Sequence, residues 1–596
     1  MKRTDVKKEE KIDFTSFYKS EKEFLADIEL ATKKIEALKK YRGKVIEKLE
    51  ELLDAYFEVY VIVEKVYVYG FVNYSIDTLD SKSKNLYNKA VNLYGELSRE
   101  TAFVNDEILA APKKDVENLF EDGKLREEYR FMIDDVLRMK PHRLSEAEEK
   151  ILNEYELLAN EAEDNYSALF HGDLKFPTVI DPKTKEEVEI TNQNYKKLME
   201  SEDREFRKEV FCKYWGTAGK FANTFASILN TKLKFDEKVS KIRGYKSALD
   251  KSLFGYNVDR KMIDTLVKVV DENKGFYKTY NKLLEVIYGY GDLAPYDLAY
   301  SPVKSDKKYS VDEANEMLIK AVGILGSEYV DKLKSLINDC RIDYHPTDNK
   351  KTGAYSISSY GVGSIIFTNF QEKIGDISAL AHESGHAVQS LYLRENNPAM
   401  YADCQFLITE TASLLNELLL GDYVYKNVDD LEVKYESLKN SLDNILANLM
   451  MVMGRFNVQE ELYKTIVAGD ALSADEITKL ARNAQADIEY AGMKTVEEVG
   501  YAWTRVSHYY SLYYNYQYAI GVTLACIFAN KILKGEENAV ENYIEFLKDG
   551  GRDYSINTLK KYGIDLYSKE TYRDVIELIQ TKLNEFEVVT SQLKGE

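Results

Sequence analysis

The chain has 596 residues, of which 44% are hydrophobic, with only 8 Pro and 30 Gly. This composition predicts an ordered, mostly helical protein with two or three packed regions, because the chain is longer than one hydrophobic core usually serves. The formal net charge of -20 argues against nucleic acid as a partner, since phosphate contacts need concentrated Lys and Arg.

The N-terminal residues, the apolar stretches and the cysteines indicate the cellular compartment of the protein. The first ten residues are rich in charge and no apolar run follows them, so we expect no secretory signal. The longest apolar stretch, residues 519–529, is too short to span a bilayer. The four cysteines are far apart, which is typical of reduced thiols. We therefore expect a cytoplasmic protein without a membrane partner. These cysteines are Cys212, Cys340, Cys404 and Cys526.

The N-terminal third has a helical pattern. Between residues 17 and 158 apolar positions recur three and four apart, which predicts one helix after another. Two short strands around a turn are predicted at 174–180 and 187–190. We take this hairpin as the boundary between an N-terminal helical region, 1–190, and a catalytic region, 191–596.

The stretch 350–370 differs from the helical sequence around it. Alternating side chains and several glycines suggest a loop and strand that lead into the next helix. The edge of such a strand can pair with an extended peptide. The alternative is a packed connector that only positions the helix, and the sequence leaves both readings open.

A helix carrying His-Glu-x-x-His follows this stretch. Asp376 can cap its start, and an Asn-Pro pair two residues after Glu395 prevents its continuation. At a period of 3.6 residues, His382 and His386 fall roughly 140 to 180 degrees from the apolar face. The two histidines are therefore predicted to face away from the core.

This spacing predicts a metal site. Imidazoles four residues apart on one helix face, here His382 and His386, can chelate a single Zn²⁺, and Glu383 can reach a water bound to that ion. A chance match is the alternative, but two of the six histidines of the chain lie in this turn and a half. The pattern is that of a metal-dependent hydrolase.

A second helix is predicted from Phe406 to a stop at Gly421. Glu410 and Glu417, seven residues apart, share one of its faces. One carboxylate can complete the metal site while the other accepts the free N–H of a ligating imidazole. By spacing alone, both could instead be solvated glutamates.

The segment 503–521 contains six tyrosines and His508. On a helix Tyr510, Tyr514 and Tyr518 would lie along one face. Phenol and imidazole groups donate hydrogen bonds, which a developing oxyanion on zinc requires. The alternative is an aromatic core, in which each buried phenol needs a partner.

Four blocks of this sequence resemble the oligoendopeptidase F family, relatives of thimet oligopeptidase and neurolysin, and occur in that family's order. They are Gly353-Ala354-Tyr355-Ser356, Leu380 to His386, Thr409 to Ser413 with Glu417, and His508 through Gly521. The resemblance covers the chain from near residue 110 to its end. Ser384 and residues 387–389 depart from the usual family pattern, which leaves specificity open without touching a ligand.

The resemblance implies a mainly α, multi-helix, clam-like metallopeptidase with a deep central channel and a small β element near the active site. It also implies one Zn²⁺ per chain and hydrolysis of internal bonds in short peptides. It assigns the metal ligands as His382, His386 and Glu410, the general base as Glu383, and transition-state groups as His508 and Tyr518. Tyr514 is predicted to bind substrate because it would share a helix face with Tyr518. Gly353, Ala354 and Tyr355 are predicted to bind substrate at the edge of the predicted strand.

Two other functions stay open on sequence grounds. A helical zinc carboxypeptidase would use similar ligands but grip the terminal carboxylate of its substrate. A non-catalytic helical binding protein would hold no stoichiometric zinc. The sequence leaves open the oligomeric state, the physiological substrate and whether the metal in the cell is zinc, cobalt or manganese.

Overall fold

The computed structural model describes residues 1–595, and these are mainly α-helical, as predicted. The first thirteen helices are α1 Glu21–Leu38, α2 Leu49–Ile76, α3 Ser81–Thr101, α4 Phe103–Ala110, α5 Lys113–Glu121, α6 Arg130–Arg138, α7 Glu146–Ser167, α8 Tyr195–Met199, α9 Arg204–Gly219, α10 Ala222–Ile242, α11 Ala248–Gly255, α12 Arg260–Asn273 and α13 Gly275–Tyr288. The remaining helices are α14 Val311–Val322, α15 Ser327–Asn338, α16 Ile374–Asn396, α17 Phe406–Asn427, α18 Leu431–Leu446, α19 Val452–Val467, α20 Ala474–Asp487, α21 Asn515–Lys534, α22 Ala539–Lys548, α23 Ser555–Lys561 and α24 Arg573–Lys594. The strands are β1 Thr178–Ile180, β2 Glu187–Glu189, β3 Ile342–Asp343, β4 Tyr355–Ser359 and β5 Gly363–Phe367.

Packing divides the described residues into two compact units. The first unit consists of Met1–Arg143, Lys307–Tyr423 and Lys531–Gly563. The second consists of Leu144–Asp306, Val424–Asn530 and the chain from Ile564 onward. These units describe packing, whereas the predicted boundary after residue 190 concerns the division of function and stays a prediction.

The core of the first unit is formed by the N-terminal helices. Ser20 caps α1 by accepting the N–H of Glu23, and the apolar residues Ala31 and Ile35, four positions apart as the helical pattern predicts, are fully buried. Ile365 and Phe367 of β5 join the same core. The sheet that precedes α16 is therefore anchored on these N-terminal helices.

That sheet has the strand order β3-β5-β4, with β3 parallel and β4 antiparallel to β5. The predicted loop and strand at 350–370 are thus a hairpin whose first strand, β4, lies at the sheet edge. Ser364 of β5 donates a hydrogen bond to the carbonyl of Ala387 in α16 at 2.9 Å. The sheet consequently fixes one side of the helix that carries the histidines.

The second unit contains the hairpin predicted near residue 180, with β1 antiparallel to β2. The same unit contains an ion pair between Arg207 and Asp297, both fully buried, with an N–O distance of 2.7 Å. Arg204 also contacts Asp297, at 2.9 Å. Among residues 1–595, none of the helices combines the length and apolar character that crossing a membrane requires.

The predicted stop of α17 at Gly421 is wrong, because the helix continues to Asn427. A glycine inside a helix costs only about 1 kcal/mol relative to alanine. The buried residues Leu418, Leu419 and Leu420 lie directly before it. Their packing outweighs the low helix propensity of the glycine.

The continuous helix predicted for the tyrosine-rich segment is also wrong. His508 lies in a 3-10 helix, Ser507–Tyr510, and α21 begins only at Asn515. Between them Tyr513 adopts a left-handed conformation with φ 48°. Its buried hydroxyl donates to Glu460 at 2.6 Å, and this hydrogen bond holds the turn that separates the two helices.

Candidate metal centre

The helix α16 begins as its sequence predicts. The carboxylate of Asp376 accepts the backbone N–H groups of Gln371 at 2.9 Å and Lys373 at 3.0 Å. This contact satisfies donors that precede the first helical turn. The apolar positions Ile377 and Leu380 are buried, so the helix is held with its histidine face turned from the core.

Three side chains converge on this face. The ligand atoms of His382, His386 and Glu410 all lie within 4.8 Å of one another. The Nε2 atoms of the two imidazoles are 3.5 and 3.4 Å from the Oε2 atom of Glu410. Two imidazole nitrogens and one carboxylate form the donor set of catalytic zinc sites, which leave a fourth position open. The residues therefore fit a zinc ion.

Glu417 contacts the other side of His382. Its Oε1 atom lies 2.7 Å from His382 Nδ1, and its Oε2 atom accepts a hydrogen bond from Ser378 Oγ at 3.0 Å. Burial lowers the pKa of His382, but the hydrogen bond and charge of Glu417 outweigh it and raise this pKa to about 9. When the ring is neutral, as a metal ligand must be, a carboxylate at Nδ1 selects the tautomer whose Nε2 is free to bind the metal.

Glu410 is prepared as an anionic donor. Burial acts to raise the pKa of Glu410, but the hydrogen bond from His386 and the charges of both imidazoles lower this pKa to about 2. Ser413 Oγ donates to its Oε2 atom at 3.0 Å. The carboxylate is thus ionised at neutral pH and held in one orientation.

Glu383 lies beside the histidines and is only 8% exposed. Burial raises its pKa above the ordinary value, although both imidazoles act in the opposite direction. The backbone of Ser356 in β4 also acts, weakly, to lower this pKa. A carboxylate with a raised pKa is better suited to take and return a proton near neutral pH.

Gly385 permits the two helices to approach, a role that sequence analysis missed. A Cβ atom at this position would lie 2.6 Å from the carbonyl carbon of Ala412 and from Cα of Ser413 in α17. A Cβ atom cannot lie this close to backbone atoms without a steric clash, so any larger residue would push the two helices apart. The available signal was a glycine among buried positions inside a helix, which often marks a close backbone approach.

The predicted substrate-binding residues before the motif are at the start of the edge strand. Gly353 and Ala354 are exposed, and Gly353 has a left-handed φ of 88°. Asn369 Nδ2 donates to the Gly353 carbonyl at 2.8 Å and so holds this loop. Tyr355, in β4, stacks its ring on Phe367 with centroids 4.7 Å apart.

The structure brings His508, Tyr514 and Tyr518 together within the second unit. The ring centroids of His508 are 5.0 Å from Tyr514 and 5.4 Å from Tyr518, and the two tyrosines are 5.3 Å apart. The helix face predicted for Tyr510, Tyr514 and Tyr518 does not form, because Tyr510 lies in the preceding 3-10 helix and Tyr514 precedes α21. Burial, followed by the charge of Arg455, lowers the pKa of His508, which keeps its imidazole neutral at physiological pH.

A mainly helical fold, a His-Glu-x-x-His helix and a converging glutamate define a metallopeptidase of the zinc-dependent class. Comparison with known proteins agrees. Residues 197–578 match the model of peptidase family M3, and residues 107–176 match that of oligopeptidase F. The chain therefore belongs to peptidase family M3. Its predicted resemblance to oligoendopeptidase F and its predicted activity, that of a zinc-dependent endopeptidase of oligopeptides, are confirmed.

Similar proteins extend over the whole chain. Oligopeptidase PepF of Bacillus subtilis is 29% identical and the match covers 99% of this chain and 89% of that protein. Group B oligopeptidase PepB of Streptococcus agalactiae is 27% identical, with 98% of both chains covered. The crystal structure of a protein from Chlamydophila abortus has a TM-score of 0.91 at 26% identity, with 99% of both chains covered.

Proposed function

We propose that this enzyme holds one Zn²⁺ per chain through His382, His386 and Glu410. The observation that carries this proposal is the convergence of their ligand atoms within 4.8 Å, with Glu417 at the outer nitrogen of His382. When bound, the ion supplies Lewis acidity, which polarises the scissile carbonyl and makes water a stronger acid. The protein supplies the remaining proton transfers.

Glu383 is proposed as the group that moves the proton. It takes a proton from the attacking water and returns it to the nitrogen of the leaving amine. Support comes from its burial, which raises its pKa, and from its place on the helix between the two proposed ligand histidines. The raised pKa lets one carboxyl act as base and then as acid at neutral pH.

Other groups of the chain are proposed to act on the substrate. His508 and Tyr518 donate hydrogen bonds to the developing oxyanion, and Tyr514 binds the substrate beside them. The contact among these three rings supports a shared role. Gly353, Ala354 and Tyr355 bind the peptide main chain at the edge strand. Gly353 and Ala354 are exposed there.

The wider setting is also a proposal. The region 1–190 supports the catalytic region 191–596, and short peptides are the substrates, without nucleic acid or membrane as partners. A cytoplasmic location suits four cysteines that are all free in the structure.

The test is product mapping on short peptides whose C-terminus is amidated. Internal cleavage should continue on these peptides, stop with a chelator and return after addition of one equivalent of zinc. Trimming restricted to peptides with a free C-terminus would instead identify a carboxypeptidase. A folded protein without stoichiometric zinc would overturn the proposed metal site.

A further inference from the structure

A buried amide connects the helices that surround the metal centre. Asn416 of α17 is fully buried, and its Oδ1 atom accepts a hydrogen bond from the hydroxyl of Tyr329 in α15 at 2.9 Å. Its Nδ2 atom donates to the carbonyl of Ala381 in α16 at 3.2 Å. Tyr329 is itself fully buried. One side chain therefore joins three helices without contact with solvent.

The position of this amide relates it to the metal ligands. Ala381 directly precedes His382, and Asn416 directly precedes Glu417, which bonds to His382 Nδ1 at 2.7 Å. The amide contact and the carboxylate contact thus connect the same turns of α16 and α17. A hydrogen bond has a preferred length and direction, so the pair restricts sliding and rotation of one helix against the other.

Apolar packing alone does not provide this restriction. Gly385 allows the two helix backbones to approach closely, but close approach is compatible with several relative rotations. An isosteric leucine at residue 416 would fill similar space while losing both directed contacts. A buried polar group left without its partner is also unfavourable, which selects against helix arrangements that separate Asn416 from Ala381 or Tyr329.

We propose that Asn416, oriented by Tyr329, is a positioning residue that sets the register of α16 against α17 and thereby the metal affinity of the site. The inference rests on the proposed function in taking His382, His386 and Glu410 as the ligands. Asn416 and Tyr329 act through these ligands and have no part in the proton transfers of Glu383.

The experiment compares the wild type with Tyr329→Phe and Asn416→Leu. The zinc dissociation constant is measured by competition with a chromogenic chelator, together with kcat and KM at saturating zinc. Partners of metal ligands typically change metal affinity about 10- to 100-fold when removed. We expect Tyr329→Phe to weaken zinc binding by roughly 10-fold and Asn416→Leu by more, while kcat and KM of the zinc-saturated enzyme stay close to the wild type.

The matched control is Tyr344→Phe. The buried hydroxyl of Tyr344 donates to Asn315 Oδ1 of α14 at 3.0 Å, in the same unit. This bond has the same chemistry but joins neither α16 nor α17. Loss of the Tyr344 hydrogen bond should lower the free energy of unfolding by about as much as loss of the Tyr329 bond, as measured by urea unfolding without metal. It should leave the zinc affinity unchanged.

Equal zinc affinity in the wild type and Tyr329→Phe would overturn the inference, even if Asn416→Leu does not fold. An equal loss of affinity in Tyr344→Phe would also overturn it, because the effect would then reflect general loss of stability. Failure of the wild type to bind stoichiometric zinc would contradict the proposed function itself. This outcome can be told apart from failure of the inference, because the inference is tested only by comparing a zinc-binding wild type with a variant that binds zinc less tightly.

Discussion

At the scale of single residues, the candidate metal centre contains two carboxyl groups, those of Glu410 and Glu383, whose pKa values are shifted in opposite directions. The surroundings lower the pKa of Glu410 to about 2, whereas burial raises the pKa of Glu383. The first is suited to a permanent negative charge and the second to proton exchange. Neighbouring groups, and not residue type, distinguish the two roles.

Glu383→Gln should retain zinc but lose proton transfer. Because an amide does not accept and return a proton, kcat should fall by roughly 10²- to 10⁴-fold, the usual contribution of a general base. Zinc content and kcat on a short peptide are the measurements. Glu395→Gln on the same helix, where Glu395 is largely exposed and pairs with Lys332, is the control and should behave as the wild type. Unchanged cleavage by Glu383→Gln would remove Glu383 from this role.

Tyr518→Phe should lower kcat more than it raises KM, because the proposed hydrogen bond forms in the transition state. The matched control is Tyr516→Phe in the same helix, since the buried Tyr516 hydroxyl lies 3.3 Å from Ser252 and packs inside the unit. Steady-state kinetics separates the two parameters. A raised KM with kcat intact would make Tyr518 a residue of ground-state binding.

At the scale of elements, two glycines in neighbouring helices show why sequence alone misjudges this residue. Gly421 was predicted to end α17, yet the helix continues through it. Gly385 attracted no structural prediction, yet α17 backbone atoms occupy the space of its missing side chain. Helix propensity is a local property, whereas the proximity of a second helix is not.

Gly385→Ala should separate α16 from α17 and weaken zinc binding. The added Cβ would meet backbone atoms that have little freedom to move, and overpacking of this kind costs about 1–3 kcal/mol. Gly375→Ala, in the first turn of the same helix, is the control because nothing lies within 4 Å of its Cβ position. That change should be neutral or stabilise by up to about 1 kcal/mol. Urea unfolding and zinc titration measure both variants, and equal behaviour would contradict the close-approach argument.

At the scale of the whole chain, buried charges connect residues far apart in sequence. The carboxylate of Asp343 in β3 contacts Lys350 at 2.7 Å and Arg3 at 2.6 Å. The Lys350 ammonium also donates to the carbonyls of His345 and Thr368. The N-terminal segment and the sheet before α16 thereby form one polar network inside the first unit.

Asp343→Asn should destabilise the first unit by about 3–5 kcal/mol, the usual cost of leaving a buried charge without its partner. Lys350 has a fully buried side chain, so water does not replace the lost carboxylate. The exposed pair Lys34 and Glu58 provides the control, since Glu58→Gln should change stability by less than about 1 kcal/mol. Urea unfolding at neutral pH measures both, and similar values would contradict the prediction.

The same network predicts a dependence on pH. Burial acts to raise the pKa of Asp343, but Arg3 and Lys350 lower it below its ordinary value. A carboxyl whose folded pKa is depressed stabilises above its unfolded pKa, about 3.9, and this contribution is lost as pH falls through the folded pKa. The difference between the wild type and Asp343→Asn should therefore be largest near pH 7 and shrink below about pH 4. A difference that stays constant with pH would contradict this assignment.

The clam-like shape and central channel implied by the resemblance stay predictions at this scale. The helical class, by contrast, followed directly from the sequence, because a 3.6-residue apolar period is a local pattern. The His-Glu-x-x-His spacing was equally local, since residues four apart on a helix share a face wherever the helix packs. These features required no knowledge of distant contacts.

Only the tertiary structure decided which glutamate faces which imidazole nitrogen. Helix spacing placed Glu410 and Glu417 on one face and left their roles interchangeable, and only the family resemblance named Glu410 as the ligand. Packing puts Glu410 at the Nε2 atoms and Glu417 at Nδ1 of His382. The turn at Tyr513, the absent side chain of Gly385 and the bonds of Asn416 likewise depend on partners distant in sequence. Periodicity specifies what a helix presents, and packing between helices specifies what each side chain meets.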